Sequence, residues 1–160
     1  PIAPLISAGQ QEFGLRGGTS NAIVNILFAK TLRLALEAQK KYNGYLTELR
    51  HYMIEELEKI EGIEINSPRE GVCHIVNFSY RPIPSEVMMN ALNAKGVCVS
   101  AQSTCASKSG QPSRVLKAMK FDNERANSCI RVSFDEHNTK EEIDQVIIIL
   151  KEICKRYGTI

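Results

Sequence analysis

Three polar side chains stand where they could bind a ligand or react with one: Cys105, Arg131 and Thr19. Cys105 lies in the middle of a polar segment, residues 99–112 (VSAQSTCASKSGQP), whose composition predicts a surface loop. A thiol that is exposed, mobile and close to a cation such as Lys108 can ionise and act as a nucleophile. The alternative is an incidental surface cysteine, because a single cysteine is a weak signal.

Arg131 lies in a predicted strand, residues 128–134, on the face opposite to the strand's apolar side chains. An arginine in such a strand costs free energy unless an anion pairs with it. A carboxylate ligand could form that pair through two parallel hydrogen bonds. A structural ion pair with Glu124 or Asp135, or simple exposure to solvent, would also account for this arginine.

Thr19 follows a glycine-rich stretch, residues 10–21 (QQEFGLRGGTSN), and precedes a predicted helix. The spacing matches neither the Walker loop nor the dinucleotide-binding fingerprint. Glycines ahead of a helix nevertheless let backbone amides approach an anion such as phosphate. The simpler interpretations are a connecting loop and a helix N-cap at Thr19.

Together the three segments resemble, in the same order, motifs of the cysteine desulfurases, pyridoxal-phosphate enzymes of fold type I in the class-V aminotransferase family. Residues 99–116 resemble the long active-cysteine loop, residues 126–133 (ANSCIRVS) the arginine strand, and residues 10–21 the glycine-rich segment. The resemblance covers the C-terminal portion of such an enzyme.

The resemblance implies a reaction that converts L-cysteine to L-alanine. Cys105 would attack the substrate sulfur, hold it as a persulfide and pass it to acceptor proteins for iron–sulfur cluster assembly or tRNA thiolation. Arg131 would bind the substrate carboxylate, and Thr19 would contact the cofactor phosphate across a homodimer. No resident metal site is implied, although Cys105 could transiently ligate an iron–sulfur cluster shared with a scaffold partner.

The family's Schiff-base lysine has no counterpart in the matching context here, so the 160-residue chain is expected to be inactive by itself. Two other functions stay open. Another class-V aminotransferase would use the Arg131 site without needing Cys105. A stand-alone sulfur-relay or interaction module would keep Cys105 without a cofactor.

Hydrophobic periodicity predicts the elements that would position these residues. The predicted helices cover residues 20–38, 41–61, 85–95 and 112–120, with a last one between the capping box of Thr139 and Glu142 and Gly158; the predicted strands cover residues 63–66, 73–80, 97–100 and 128–134. A turn-like break is expected near residues 42–44. The pattern favours an α/β fold, specifically an α+β small domain with a sheet of about four strands and helices packed on one face.

The two parts of the chain are expected to differ in role. Residues 1–40 would be the C-terminal piece of a large cofactor-binding domain and would supply a long helix, whereas residues 41–160 would form a small C-terminal domain with the active-cysteine loop. Helix 20–38 is apolar nearly all round, so it belongs in a core or an interface, and a homodimer or higher self-association is expected.

The composition narrows the possible partners. A net charge of +2 gives no strong bias toward nucleic acid or an anionic membrane, and no apolar run is long enough to cross a bilayer. Five cysteines without zinc spacing, four of them expected to be buried, suit a reducing cytoplasm. The expected partners are therefore L-cysteine, sulfur-acceptor or scaffold proteins, and a second copy of the chain.

Overall fold

A computed structural model describes residues 2–101 and 112–158, so Cys105 lies outside the described residues. The chain divides into two compact units, Pro1–Lys41 and Tyr42–Ile160. Helices and a four-stranded antiparallel sheet give a mixed α/β architecture, which confirms the predicted fold class.

The first unit contains an irregular N-terminal segment, a 3-10 turn at Gln11–Gly14 and the first part of a long helix, α1 (Ala22–Glu58). The N-terminal segment folds back on itself, because the amide of Gly17 donates to the carbonyl of Ile6 at 3.1 Å. The large apolar side chains on this part of α1 are exposed: Ile23, Val24, Ile26, Leu27, Phe28, Leu32, Leu34 and Leu36.

Helix α1 is continuous, so the predicted break near residues 42–44 is wrong and the two predicted helices are parts of one. Gly44 stays helical although glycine costs about 1 kcal/mol relative to alanine in a helix interior. Leu49, Met53 and Leu57 recur at helical spacing and are almost completely buried. Their packing outweighs the weak local preference for a break.

The second unit is built on a four-stranded sheet with the strands β1 (Ile63–Ile65), β2 (Ile75–Tyr80), β3 (Ser100–Ala101) and β4 (Cys129–Ser133). Their order in the sheet is β1-β2-β4-β3. Arg131 on β4 lies opposite Asn77 on one side and Ser100 on the other. Because side chains alternate, Phe78 and Ile130 occupy one face, and Asn77, Arg131 and Ser100 occupy the other.

Three helices cover the apolar face: the second part of α1, α2 (Ser85–Asn93) and α5 (Lys140–Tyr157). The predicted capping box at Thr139 and Glu142 is present and begins α5. Two short helices, α3 (Arg114–Ala118) and α4 (Asn123–Asn127), add a small cluster around the opposite-face residue Cys129. The sequence did not predict α4.

The cysteines are less uniformly buried than expected. Cys129 and Cys154 are buried, Cys73 is half-buried and Cys98 is exposed, so the expectation of four buried thiols is wrong for Cys98. Strand β3 contains only Ser100–Ala101, which leaves Cys98 outside the paired part of the sheet. In the ranges that the structure describes, no helix has the length and apolar character to cross a bilayer.

Candidate functional site

Arg131 occupies a central position on the polar face of the sheet. Strand β4 lies between β2 and β3, which places Asn77 and Ser100 beside Arg131. Residues 102–111, which include Cys105, follow directly after β3 in the sequence. The sheet therefore sets Arg131 next to the strand from which the chain enters the segment that contains Cys105.

The Arg131 side chain is exposed, and none of the described carboxylates pairs with its guanidinium. The two acids considered as structural partners lie elsewhere. Glu124 contacts Arg81 at 3.5 Å, and Asp135 accepts a hydrogen bond from the His137 amide at 2.8 Å. The Arg131 guanidinium is therefore available to an anionic ligand, for which an arginine offers two parallel donors.

The polar face is buried at the α4 end and opens toward Arg131. Ser79 and Cys129 are almost completely buried, Asn77 is half-buried and Arg131 is exposed. Burial raises the pKa of the Cys129 thiol, and a hydrogen bond from Asn77 opposes that rise. Cys129 is consequently a neutral packing residue rather than a nucleophile.

A hydrogen-bond network lies beside Arg131 and includes its cross-strand neighbour Asn77. Asn66 Nδ2 donates to Asn77 Oδ1 and to Ser79 Oγ, each at 2.7 Å. Arg125 Nε donates to Asn66 Oδ1 at 2.6 Å, and Ser79 Oγ donates to the Arg125 carbonyl at 2.8 Å. These four residues were not singled out from the sequence, where the alternation of polar residues along β2 was the available signal.

Further contacts fix Arg125 itself. Its Nη2 donates to the Ile65 carbonyl at 2.7 Å, its Nη1 pairs with Glu64 at 2.9 Å, and its guanidinium lies 4.1 Å from the centre of the Phe121 ring. A cation stacked on an aromatic face and paired on its edge has little freedom to turn. Arg125 therefore holds α4 against β1 and gives the network a rigid end.

A second arginine, Arg81, links β1 to the start of α4 at the surface. Its guanidinium hydrogen-bonds Glu64 and pairs with Asp122 at 2.8 Å. These hydrogen bonds hold the pKa of Glu64 below its usual value and, with the Arg125 amide, lower the pKa of Asp122 to about 2. Asp122 also caps α4, because its side chain accepts from the Arg125 amide at 2.9 Å.

In the first unit, Thr19 is exposed and lines a cavity of about 220 Å³ together with Glu12, Arg16 and Ser20. The N-cap of α1 is Asn21, whose Oδ1 accepts from the Val24 amide at 3.1 Å. The interpretation of Thr19 as the cap is therefore wrong, and its hydroxyl is not used to begin the helix.

Two glycines shape the backbone before Thr19. A Cβ on Gly17 would fall 1.6 Å from the Ala8 carbonyl oxygen, and Gly18 has φ +103°. Neither position tolerates a side chain without rearrangement. Two hydroxyls, a guanidinium and the N-terminus of a long helix suit a phosphate group, so the residues present fit the phosphate end of a cofactor. Thr19 and Arg131 belong to different units.

No converging group of metal-ligating side chains is found within residues 2–101 and 112–158.

Comparisons with known proteins place this arrangement in context. The model of the class-V aminotransferase family matches residues 6–146. The chain is 37% identical to cysteine desulfurase IscS of Dictyoglomus turgidum, over 99% of this chain and 41% of that protein. It is 34% identical to cysteine desulfurase IscS of Methanosarcina thermophila, over 97% of this chain and 39% of that protein.

Two solved structures that align with this chain are described as NifS-like proteins. A NifS-like protein of 29% identity aligns with a TM-score of 0.77 over 97% of this chain and 40% of its own. A NifS-like protein from Rickettsia africae, at 23% identity, has the same TM-score and supports the fold. The chain spans about two fifths of the length of the curated relatives it matches.

Proposed function

This chain belongs to the class-V aminotransferase family, and we propose that it forms part of a pyridoxal-phosphate-dependent cysteine desulfurase, which converts L-cysteine to L-alanine. The observation that carries the proposal is the placement of Arg131. It is exposed, unpaired among the described residues, and on the strand that pairs with β3, after which the segment that contains Cys105 follows in the sequence. The names of the relatives support the same reaction.

Arg131 is the proposed binding residue for the substrate carboxylate. Its guanidinium can donate two parallel hydrogen bonds, which fix both the position and the plane of a carboxylate. Strands on both sides of β4 hold the backbone of Arg131 in place. A substrate bound there would be oriented by a rigid element rather than by a loop.

Thr19 is the proposed contact for the phosphate of pyridoxal phosphate, in a homodimer with the site shared between subunits. Arg16 and Ser20 line the same cavity and would add a cation and a second hydroxyl. When bound, the cofactor supplies the electron sink that makes the carbon–sulfur bond of the substrate labile. No lysine of this chain is assigned its covalent attachment.

Cys105 is the proposed nucleophile. Its thiolate attacks the substrate sulfur, so a sulfur–sulfur bond forms while the carbon–sulfur bond breaks. The electron pair of the broken bond passes to carbon, which takes up a proton to give L-alanine. The persulfide on Cys105 then passes its outer sulfur to an acceptor or scaffold protein in the cytoplasm, for iron–sulfur clusters or tRNA thiolation.

We test the proposal by replacing Arg131 with alanine in the full-length protein. Loss of two charge-assisted hydrogen bonds should lower kcat/KM for L-cysteine by roughly 100-fold or more, mainly through KM. The matched control is Arg69→Ala, which removes an exposed arginine from the loop between β1 and β2. A kcat/KM for Arg131→Ala equal to that of the control would contradict the assignment.

The variant Cys105→Ser separates desulfurization from transamination. A desulfurase should lose L-alanine formation from L-cysteine, because serine cannot form the persulfide. An aminotransferase that uses the Arg131 site would keep its turnover. If Cys105→Ser still formed L-alanine from L-cysteine at the wild-type rate, the proposed reaction would therefore be excluded.

A further inference from the structure

Asn77 is the cross-strand neighbour of Arg131. The two residues are directly opposite in the antiparallel pair of β2 and β4, and their side chains share the polar face. Directly opposed residues have Cβ atoms about 5 Å apart. A ligand group held by Arg131 would therefore lie over the face of the sheet that also carries the Asn77 side chain.

The orientation of the Asn77 amide follows from its neighbours. A guanidinium can only donate, so the Asn66 atom 2.6 Å from Arg125 Nε must be the oxygen. The nitrogen of Asn66 therefore faces Asn77, whose oxygen must accept at 2.7 Å. Oxygen and nitrogen of an amide are hard to tell apart by shape, but Arg125 settles the direction here.

Ser79 agrees with this direction. Its hydroxyl proton is donated to the Arg125 carbonyl at 2.8 Å, so its oxygen accepts the second N–H of Asn66 at 2.7 Å. Asn66 is then fully satisfied, with its oxygen and both N–H groups in use. A reversed Asn66 would set its nitrogen against the Arg125 guanidinium, where two donors would meet.

The consequence is that Asn77 presents its Nδ2 group, with two N–H donors, on the face that carries Arg131. One contact of this side chain is with the Cys129 sulfur at the buried end of the face. Asn77 is only half-buried and lies directly opposite the exposed Arg131, so its second N–H group belongs to the same face as the guanidinium. A neutral donor next to a guanidinium is the arrangement that completes binding of a carboxylate, which has more lone pairs than one arginine uses.

We propose that Asn77 is a second carboxylate-binding residue beside Arg131, and that Arg125 is a positioning residue that fixes the Asn77 donor through Asn66. The inference rests on the proposed function, because that function assigns Arg131 to a carboxylate. It adds a second donor to the contacts by which the site distinguishes an amino acid from the corresponding amine that lacks the carboxylate.

The experiment measures dissociation constants of the full-length, cofactor-loaded protein for L-alanine and for ethylamine, which lacks the carboxylate, by isothermal titration calorimetry. The readout is the dissociation constant for ethylamine divided by the dissociation constant for L-alanine, so this ratio falls when L-alanine binding alone weakens. Asn77→Asp keeps the shape but replaces the donor with an anion, and should weaken L-alanine binding roughly 10- to 100-fold while ethylamine binding stays unchanged. Asn77→Ala should give about a tenfold loss.

A matched control is Asn90→Asp, which makes the same change at an exposed position of α2, on the other side of the sheet. It should leave the ratio at the wild-type value. Asn66→Asp tests the positioning role. Its carboxylate still accepts from Arg125 but cannot donate to Asn77, so the Asn77 amide can turn and the ratio should fall several-fold.

The outcomes separate the inference from the function on which it rests. An unchanged ratio in Asn77→Asp together with a collapsed ratio in Arg131→Ala would overturn the role of Asn77 and leave Arg131 in place. An unchanged ratio in both variants would overturn the carboxylate site itself. Equal weakening of both ligands in Asn77→Asp would mean a structural role and would also overturn the inference.

Discussion

Replacing Arg50 with methionine should loosen the segment between β1 and β2. Arg50 is only 2% exposed, and its guanidinium donates to three backbone carbonyls, those of Ile75 at 3.3 Å, Arg69 at 2.6 Å and Pro68. In the described part of the chain, no carboxylate pairs with this buried cation. Among the described residues, the dipoles of these three carbonyls therefore stabilise its charge.

The magnitude follows from two opposing effects. A hydrogen bond from a charged donor contributes about 1.5–3 kcal/mol, so the three together favour the folded state by about 4.5–9 kcal/mol. Methionine removes the cost of burying a cation, which is several kcal/mol. Pro68 and Arg69 are exposed, so water can replace the donor at their carbonyls. We expect a net loss of about 2–4 kcal/mol in the free energy of unfolding.

The assay is urea unfolding at 25 °C, followed by far-UV circular dichroism. The control is Arg33→Met on α1, where the side chain is 67% exposed and its Glu37 partner lies at 3.7 Å. The control should change the free energy of unfolding by less than about 0.5 kcal/mol. An Arg50→Met variant as stable as the control would refute the view that this guanidinium organises the segment.

Four further predictions concern other parts of the chain. Thr139→Ala removes the capping box of α5 and should cost about 1 kcal/mol, seen as a Tm lower by about 2–4 °C. The pKa of Asp122 is about 2 in the folded state, below its ordinary value of 3.8, so its contribution is present above about pH 4 and is lost as the pH falls toward 2. Asp122→Asn should therefore flatten the dependence of the urea midpoint on pH between 5 and 2. The 160-residue chain with added pyridoxal phosphate should release no more L-alanine from L-cysteine than the free cofactor does, and clear turnover would refute this expectation. The exposed apolar side chains of the first part of α1 should drive self-association, which a monomer at high concentration in sedimentation velocity would disprove.

Features set by nearby residues could be predicted from the sequence. The capping box of α5 needs only Thr139 and Glu142, three positions apart, and it is present. The alternation along β4 placed Arg131 on the polar face, and the register agrees. The choice between a structural ion pair and an available guanidinium could not be made, because it depends on where Glu124 and Asp135 lie in three dimensions.

Features set by distant contacts could not be predicted. The continuity of α1 through Gly44 depends on the burial of Leu49 and its neighbours in the core, which a local pattern does not report. The hydrogen bond from Arg125 to Asn66 joins residues 59 positions apart. Asn66 and Arg125 look like ordinary surface residues in the sequence. The pairing of β1 with β2 and of β2 with β4 brings the network beside Arg131.

The most direct test of the central claim is mass spectrometry of peptides from the full-length protein after exposure to L-cysteine. We expect one additional sulfur atom on the peptide that contains Cys105, removable by a thiol reductant and strongly reduced in Arg131→Ala when the L-cysteine concentration is well below the KM of that variant. The exposed thiol of Cys98 serves as an internal reference and should carry no added sulfur. L-alanine formation without sulfur on Cys105, or with the sulfur on Cys98 instead, would contradict the account.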